Sequence, residues 1–278
     1  MRGRSLAACI AVVALWIAAA CLDVSSPVTG ITAISSIILP TPSIVTGDSM
    51  RDTLGVPQPL KVVAFGPKGD TLPASDITVQ FTAIDSTKQL HVNSVTGKAA
   101  GDSLSPLAKV VAVVTPVNGK GSIQTVQVPV PIVPVPNSGL RSNDTTFVFN
   151  PADTPSDSMN LNLVSPPLSV TVYASKTDTV VQSYIVSYAI VQAPAHNANG
   201  PTVVFYNPSG NDSTIAVTNT SGVATRQLRI RPGAIANIGL LTGGVTDTIE
   251  VSVRVLFHGK PIPIGKDTLF VIPVRALF

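Results

Sequence analysis

The chain has 278 residues, room for two domains of about 100–150 residues each. Charged residues make up only 12% and hydrophobic ones 45%. Two of the 18 basic residues, Arg2 and Arg4, sit in the N-terminal head and 15 acids oppose the rest, so no basic surface for nucleic acid or anionic lipid is implied.

Met1–Arg4 is a short basic head, and Ser5–Ala20 is an apolar run ending in small residues. Head, run and small residues before a cut form a secretory signal peptide over residues 1–20. About 20 apolar residues are needed to span a bilayer, so the run is a leader rather than an anchor helix. Ala18-Ala19-Ala20-Cys21 resembles the lipobox of bacterial lipoproteins, with Ala18 where that box usually has Leu. The resemblance implies cleavage before Cys21 and acylation of its thiol. Cys9 leaves with the leader, so Cys21 is the single cysteine of the exported chain and no internal disulfide forms. By the sorting pattern of such lipoproteins, Leu22 after the cysteine favours the outer membrane or cell surface over the inner membrane. Residues 21–30 read as a tether.

The chain holds 24 Pro and 20 Gly, and from residue 31 on Val, Ile and Thr are abundant and helical spacing is nearly absent. That composition predicts short strands joined by turns. Strands are expected over 31–38, 58–66, 77–84, 90–95 and 106–115, with turns at Gly47-Asp48 and Pro67–Asp70. Asn118-Gly119 predicts a two-residue hairpin turn into a return strand over 122–132. Pro129 and Pro131 lack N–H groups on one edge of that strand, which predicts an unpaired edge. Pro134 and Pro136 have the opposite parity, so pairing is expected to stop on both sides there.

Residues 141–165, around the apolar run Thr145–Phe149, form the expected linker or junction strand. A second strand series follows over 168–174, 179–192, 201–207, 214–218, 222–231, 248–257 and 267–274. Phe81, Tyr184, Tyr188, Val251 and Val253 have core parity. The expected domains are thus 31–140 and 166–278.

Val217–Arg226 contains Thr218-x-x-x-Gly222-x-Ala224, and resembles a strand-and-turn motif of bacterial Ig-like domains of the invasin/intimin type. Val180–Ala189, with its Tyr-x-Val-x-Tyr rhythm, is similar to an early core strand of that fold. Gly47-Asp48-Ser49, Val62–Leu72, Val79–Phe81 and Ser94–Ala100 repeat the same order in the first half, with Phe81 where the family usually has Trp. The resemblance implies an all-β chain of two tandem Ig-like β-sandwich domains after a lipoprotein signal. Antibody-type domains are excluded, since their Cys…Trp…Cys pattern is missing.

The chemistry census is thin. His91, His196 and His258 are far apart and lie at turns or strand ends. No zinc-protease H-E-x-x-H, G-x-S-x-G elbow, P-loop or G-x-G-x-x-G occurs. Lys68-Gly69-Asp70 and Asn211-Asp212 read as turns; one carboxylate and one amide fall short of a calcium cage. Asn143, Asn211 and Asn219 begin N-x-[ST] triplets, which mean little in a bacterial lipoprotein. Arg226 shares parity with Leu228 and Ile230, so it either snorkels from the sheet margin or pairs with an acid.

The expectation is therefore a non-enzyme without cofactor or metal. It is a lipid-anchored envelope protein, structural or adhesive, whose partners are the membrane through Cys21 and a protein or glycan at the cell surface. The alternative is a surface glycan-binding module, which needs aromatic side chains on an exposed face.

Overall fold

Alternation of apolar and polar residues decides almost every element of the chain. The computed structural model describes residues 30–117, 119, 121–152, 163–174, 179–206, 213–242, 247–265 and 268–277. The leader 1–20, Cys21 and the tether to residue 29 lie outside the described residues, as do Asn118, Lys120, Asn211 and Asp212.

The chain divides into two compact units. Of the described residues, the first takes 30–38, 61–82 and 111–128. In it, Ala33–Ile34 pairs antiparallel with Ala64–Phe65. Its other strands belong to a three-stranded sheet in the order Ile77–Ile84, Lys109–Pro116, Gln124–Pro129. Ile31, Ala64 and Val114 are its buried apolar centre, with Ile34, Val62, Leu72, Ile77 and Val79 packed round them. Phe81 is buried too.

The second unit gathers Leu39–Leu60, Ala83–Val110 and Pro129–Phe278. Ten of its strands build a sandwich. In chain order they are β1 (Pro136–Arg141), β2 (Phe147–Phe149), β3 (Leu168–Ala174), β4 (Ile185–Gln192) and β5 (Val203–Tyr206). They continue with β6 (Ile215–Val217), β7 (Val223–Ile230), β8 (Asp247–Arg254), β9 (Ile264–Gly265) and β10 (Leu269–Ala276). One sheet has the order β5-β7-β3-β1-β9 and the other β2-β10-β8-β4-β6. With β1, β3, β7 and β5 as strands A, B, E and D, and β4, β8 and β10 as C, F and G, this is the immunoglobulin-type arrangement. Among the described residues the fold is nearly all-β; between β7 and β8 lie a 3-10 turn at Pro232–Ala234 and one helical turn at Ile238–Thr242.

Period-two sequence makes the core. Leu168, Val170, Val172 and Ala174 point inward from β3, and Ile249, Val251 and Val253 from β8. Tyr188 on β4 reaches across the core; its hydroxyl donates to Leu168 O at 3.3 Å and Ala224 O at 3.1 Å on the opposite sheet. A buried phenol without such partners would cost free energy, so this bridge lets a polar tip sit in an apolar layer. Burial holds the Tyr188 hydroxyl well above the usual phenol range, although the nearby Arg226 charge pulls the other way.

The family-like motif has a physical role. Thr218, 3% exposed, donates its hydroxyl to Val181 O at 2.6 Å and accepts Tyr184 N–H at 2.9 Å. Asn219 accepts Ser221 N–H and Val223 N–H, closing the turn. Gly222 has φ +71°, and a Cβ there would lie 2.5 Å from Val180 Cβ. Only glycine fits that backbone and that space.

The division of the chain differs from the expected domains 31–140, 141–165 and 166–278. Pro136–Arg141 pairs antiparallel with β3, and Phe147–Phe149 runs parallel to β10. The supposed linker therefore supplies two sandwich strands. Pairing also does not stop at Pro136, which lies opposite Ala174; a bulge between Pro136 and Ser138 absorbs the missing donor. The expected return strand over 122–132 ends at Pro129, as an edge strand. Beyond it, Ile132–Val133 pairs parallel with Ile44–Val45, and Pro131 O accepts Ile44 N–H at 3.0 Å. The edge at Pro131 thus lends a carbonyl although it has no N–H to give. The two-residue turn expected at Asn118-Gly119 falls partly outside the described residues; Gly119 itself takes φ +66°.

The open edge at β6 is blunted. Ile215 N–H and Ile215 O both find the Ser213 hydroxyl, at 3.2 and 3.0 Å, so one side chain covers the pair of groups a foreign strand would need.

Candidate functional site: a cleft beside Asp48, Tyr184 and His258

The site begins with two turns. Gly47, at φ +74°, aims the chain into the short strand Asp48–Ser49, which pairs with Ala99–Gly101. Far along the chain, Leu256–Phe257 and Lys260–Pro261 pair antiparallel. His258 and Gly259 between them have φ +51° and +73°, the pattern of a type I′ hairpin turn. Gly55 presses against this turn. A Cβ on Gly55 would lie 2.5 Å from Gly259 N, and one on Gly259 would lie 2.6 Å from Leu54 O. Two side-chain-free backbones therefore meet where a larger residue would hold them apart.

That contact brings Asp48 to His258. The His258 Nε2 lies 2.5 Å from Asp48 Oδ2. An ionised carboxylate only accepts, so Nε2 carries the proton of this bond. Arg51 Nε donates to both Asp48 oxygens, at 2.8 and 3.0 Å, and Ser49 N–H donates to Oδ1 at 2.8 Å. Burial pushes the Asp48 carboxyl up, but these donors and the Arg51 charge outweigh it and hold the carboxyl below its ordinary range. Arg51 also donates from Nη1 to Gly55 O at 2.8 Å, tying the loop to itself. Asp52 caps the same loop by accepting Leu54 N–H and Val56 N–H on Oδ1.

Beside this cluster lies a cleft of about 230 Å³, within the second unit. Tyr184, Leu256 and Phe257 form its apolar side; Arg51, Asp52 and Ser187 contribute polar groups. The Phe257 ring stacks on His258 with centroids 4.0 Å apart. Tyr184 donates its hydroxyl to Leu256 O at 2.7 Å. Burial first, and the Asp48 charge second, hold that phenol far above its usual range. Ser43 donates to Ser183 O at 2.7 Å and fixes the 39–60 segment to the rim.

The remaining singled-out residues are dispersed. His91 contacts Asp102 at 2.8 Å with both side chains exposed, and His196 meets Asn197 O at 3.1 Å. The structure does not bring the three histidines together. Lys68-Gly69-Asp70 is a hairpin turn, with Gly66 N–H donating to Asp70 O at 2.8 Å. Arg226 donates to Thr225 O at 3.3 Å and leaves Nε buried without a hydrogen-bond partner; of the two alternatives expected for it, an acid partner is not present among the described residues. Among the described residues there is no group of three or more His, Cys, Asp or Glu able to hold a metal, and no helix long and apolar enough to cross a membrane.

The Asp48–Arg51–His258 cluster was invisible in the sequence. Gly47-Asp48 and His258-Gly259 both carry clear turn signals, but nothing in the chain says that two turns so far apart meet. A second polar hub was missed likewise. Asp85 accepts from Thr87 N–H and hydroxyl, Ser105 hydroxyl, Gln89 N–H and Leu90 N–H. Desolvation opposes ionisation there, but those donors hold the carboxyl far below its ordinary range. Its acceptor sites are filled by the 85–90 loop and by Ser105, so it organises the loop rather than binding a cation.

No family model matches the chain, and no curated protein matches it. Among solved structures, the adhesin InvE of Yersinia pseudotuberculosis aligns at TM-score 0.34 and 12% identity, over 87% of this chain and 58% of that one. The D0-D1 domain of intimin aligns at TM-score 0.24 and 15% identity, over 87% of this chain and 98% of that one. The S-layer protein SbsC aligns at TM-score 0.28 and 10% identity, over 89% of this chain but only 28% of that one. It is the strand order of the sandwich, rather than these alignments, that makes the fold immunoglobulin-type.

Proposed function

We propose that the chain is an exported envelope lipoprotein, acylated at Cys21, whose immunoglobulin-type sandwich is a structural or adhesive spacer at the cell surface. The observation that carries this reading is the parallel pairing of β2 with β10, Phe147 opposite Val274 and Phe149 opposite Ala276. Tension between the start of β2 and the end of β10 loads those hydrogen bonds in shear, all at once. A strand pair so placed resists being pulled apart better than one that unzips bond by bond, which suits a tethered spacer. The blunted edge at β6 supports the same reading, because a crowded surface protein must avoid sheet-to-sheet pairing. The basic head, apolar run and Ala18–Cys21 junction supply the export and the anchor.

Mass spectrometry of the mature N-terminus from a native host is the test, run beside protease shaving of intact cells. A diacylglyceryl mass on Cys21 and cleavage by external protease support the reading. An unmodified Cys21, or a chain that shaving never reaches, overturns it.

A second reading, a surface glycan-binding module, is favoured by one observation. The cleft beside Asp48 combines ring-bearing walls with polar groups that the protein leaves unused.

A further inference from the structure

The cleft at Tyr184 and Phe257 has the makings of a ligand site, and its inventory restricts the ligand. Clefts for drug-sized molecules run to about 300–1,000 Å³, so one of about 230 Å³ holds a single ring rather than an extended chain. Access is open: the Leu54 side of the rim is 73% exposed and the His258 side chain 43%.

Charge comes next. Arg51 stands against Asp48 and Asp52, and His258 adds a positive charge only when it carries a second proton. The sum is thus zero or −1, which gives no attraction for an anion. Nor is a cation drawn to Asp48, whose two oxygens already accept from Arg51, His258 and Ser49. A neutral ligand fits.

Unused hydrogen-bonding capacity remains on both sides. Arg51 spends Nε on Asp48 and Nη1 on Gly55, and its Nη2 has no protein partner among the described residues. Asp52 spends Oδ1 on the turn, while its Oδ2 has only the 3.5 Å approach of Gln58 Nε2. Ser187, which carries a hydroxyl, lines the same cleft. A donor, an acceptor and a hydroxyl that serves as either, beside the rings of Tyr184 and Phe257, match a body with an apolar face and a rim of hydroxyls. We propose that this cleft binds one neutral pyranose ring of a surface glycan, its C–H face on the aromatic wall and its hydroxyls on Arg51, Asp52 and Ser187. The proposal deepens the glycan-binding reading, but the cleft's chemistry does not depend on where the protein resides.

The experiment uses the full chain with Cys21→Ser, which keeps it free of acyl groups, and amide shift mapping against glucose, galactose, mannose, N-acetylglucosamine and, as an anionic control, glucuronate. A ligand of about a dozen heavy atoms is expected to bind at roughly millimolar dissociation constants. The expected result is saturable shifts at Tyr184, Phe257 and His258 for at least one neutral sugar and weaker or no response to glucuronate. Phe257→Leu, which keeps apolar bulk but loses the ring, should weaken that sugar by about fivefold or more, on the usual worth of an aromatic contact. Asp52→Asn retains the Oδ1 cap while replacing the free acceptor with a donor, and should weaken it as well without lowering the melting temperature. Shifts that stay flat to about 50 mM for all four neutral sugars overturn the proposal. So do glucuronate binding as tightly as the best neutral sugar, shifts mapping away from the cleft, or both variants binding like the parent. Sugar binding in a chain that shaving never reaches would keep the cleft and remove only the surface placement.

Discussion

His258 Nε2 and Asp48 Oδ2 meet at 2.5 Å although 210 residues separate them in the chain. The contact rests on a near-touch of two glycine backbones, Gly55 and Gly259, and on the Phe257 ring stacked behind the imidazole. It fixes the Asp48–Gly55 loop to the 256–261 hairpin and shapes the cleft between them.

Asp48 makes this contact sensitive to acid. Its carboxyl is held below the ordinary value in the folded chain. A depressed folded value means that the stability it contributes is present above the unfolded value of about 3.9. That stability is lost as pH falls through the folded value. Chemical-denaturation midpoints from pH 6 downward should therefore fall more steeply below about pH 4 for the parent than for Asp48→Asn. Parallel curves for the two proteins would show that Asp48 contributes nothing through its charge.

Val253 has no exposed surface, and its strand lies at the centre of its sheet. Val253→Asp would bury an unpaired carboxylate, at a cost of several kcal/mol. Val148, 42% exposed, gives the control. Val148→Asp should melt within about a degree or two of the parent, because surface changes usually stay within ±0.5 kcal/mol. Equal losses for the two variants would mean that the sandwich interior has been misassigned.

Gly222 tests the turn of the Thr218–Ala224 motif. Gly222→Ala puts an L residue at φ +71°, about 1–2 kcal/mol from backbone strain alone. The new Cβ also meets Val180 Cβ, so the loss should exceed that of Gly233→Ala, whose Cβ has open space. Urea titration of the two variants side by side decides it; Gly222→Ala no less stable than Gly233→Ala would contradict the turn geometry.

Pro129 closes the exposed edge of Gln124–Pro129 with a position that has no N–H. Pro129→Val restores a donor next to Val126, Val128 and Val130, a segment with high β-propensity and no charge. The variant should fold and then self-associate as concentration rises, as read by light scattering. Pro131→Val belongs in the same series as a contrast, because Pro131 is buried and already joined through its carbonyl to Ile44. A Pro129→Val protein as monodisperse as the parent would remove the proline from any protective role.

Features that depend on neighbours a few residues apart were legible in the amino-acid order. Period-two alternation located β3, β4, β7 and β8 and the inward sides of Val251, Val253, Tyr184 and Tyr188, because a strand's faces are set by residue parity alone. Turn chemistry located Gly47-Asp48, Lys68–Asp70 and His258-Gly259, because positive φ is a local property. Which strands share a sheet emerges only on folding. Pro136–Arg141 and Phe147–Phe149 looked like the end of one domain and a linker. They became sandwich strands because β3 and β10 had open edges for them, and an edge's vacancy is not written in the strand that fills it. The same holds for the cleft. Asp48, Tyr184 and His258 each follow local rules, but their meeting depends on two distant backbones packing at Gly55 and Gly259, a contact between surfaces that exist only once the chain has folded.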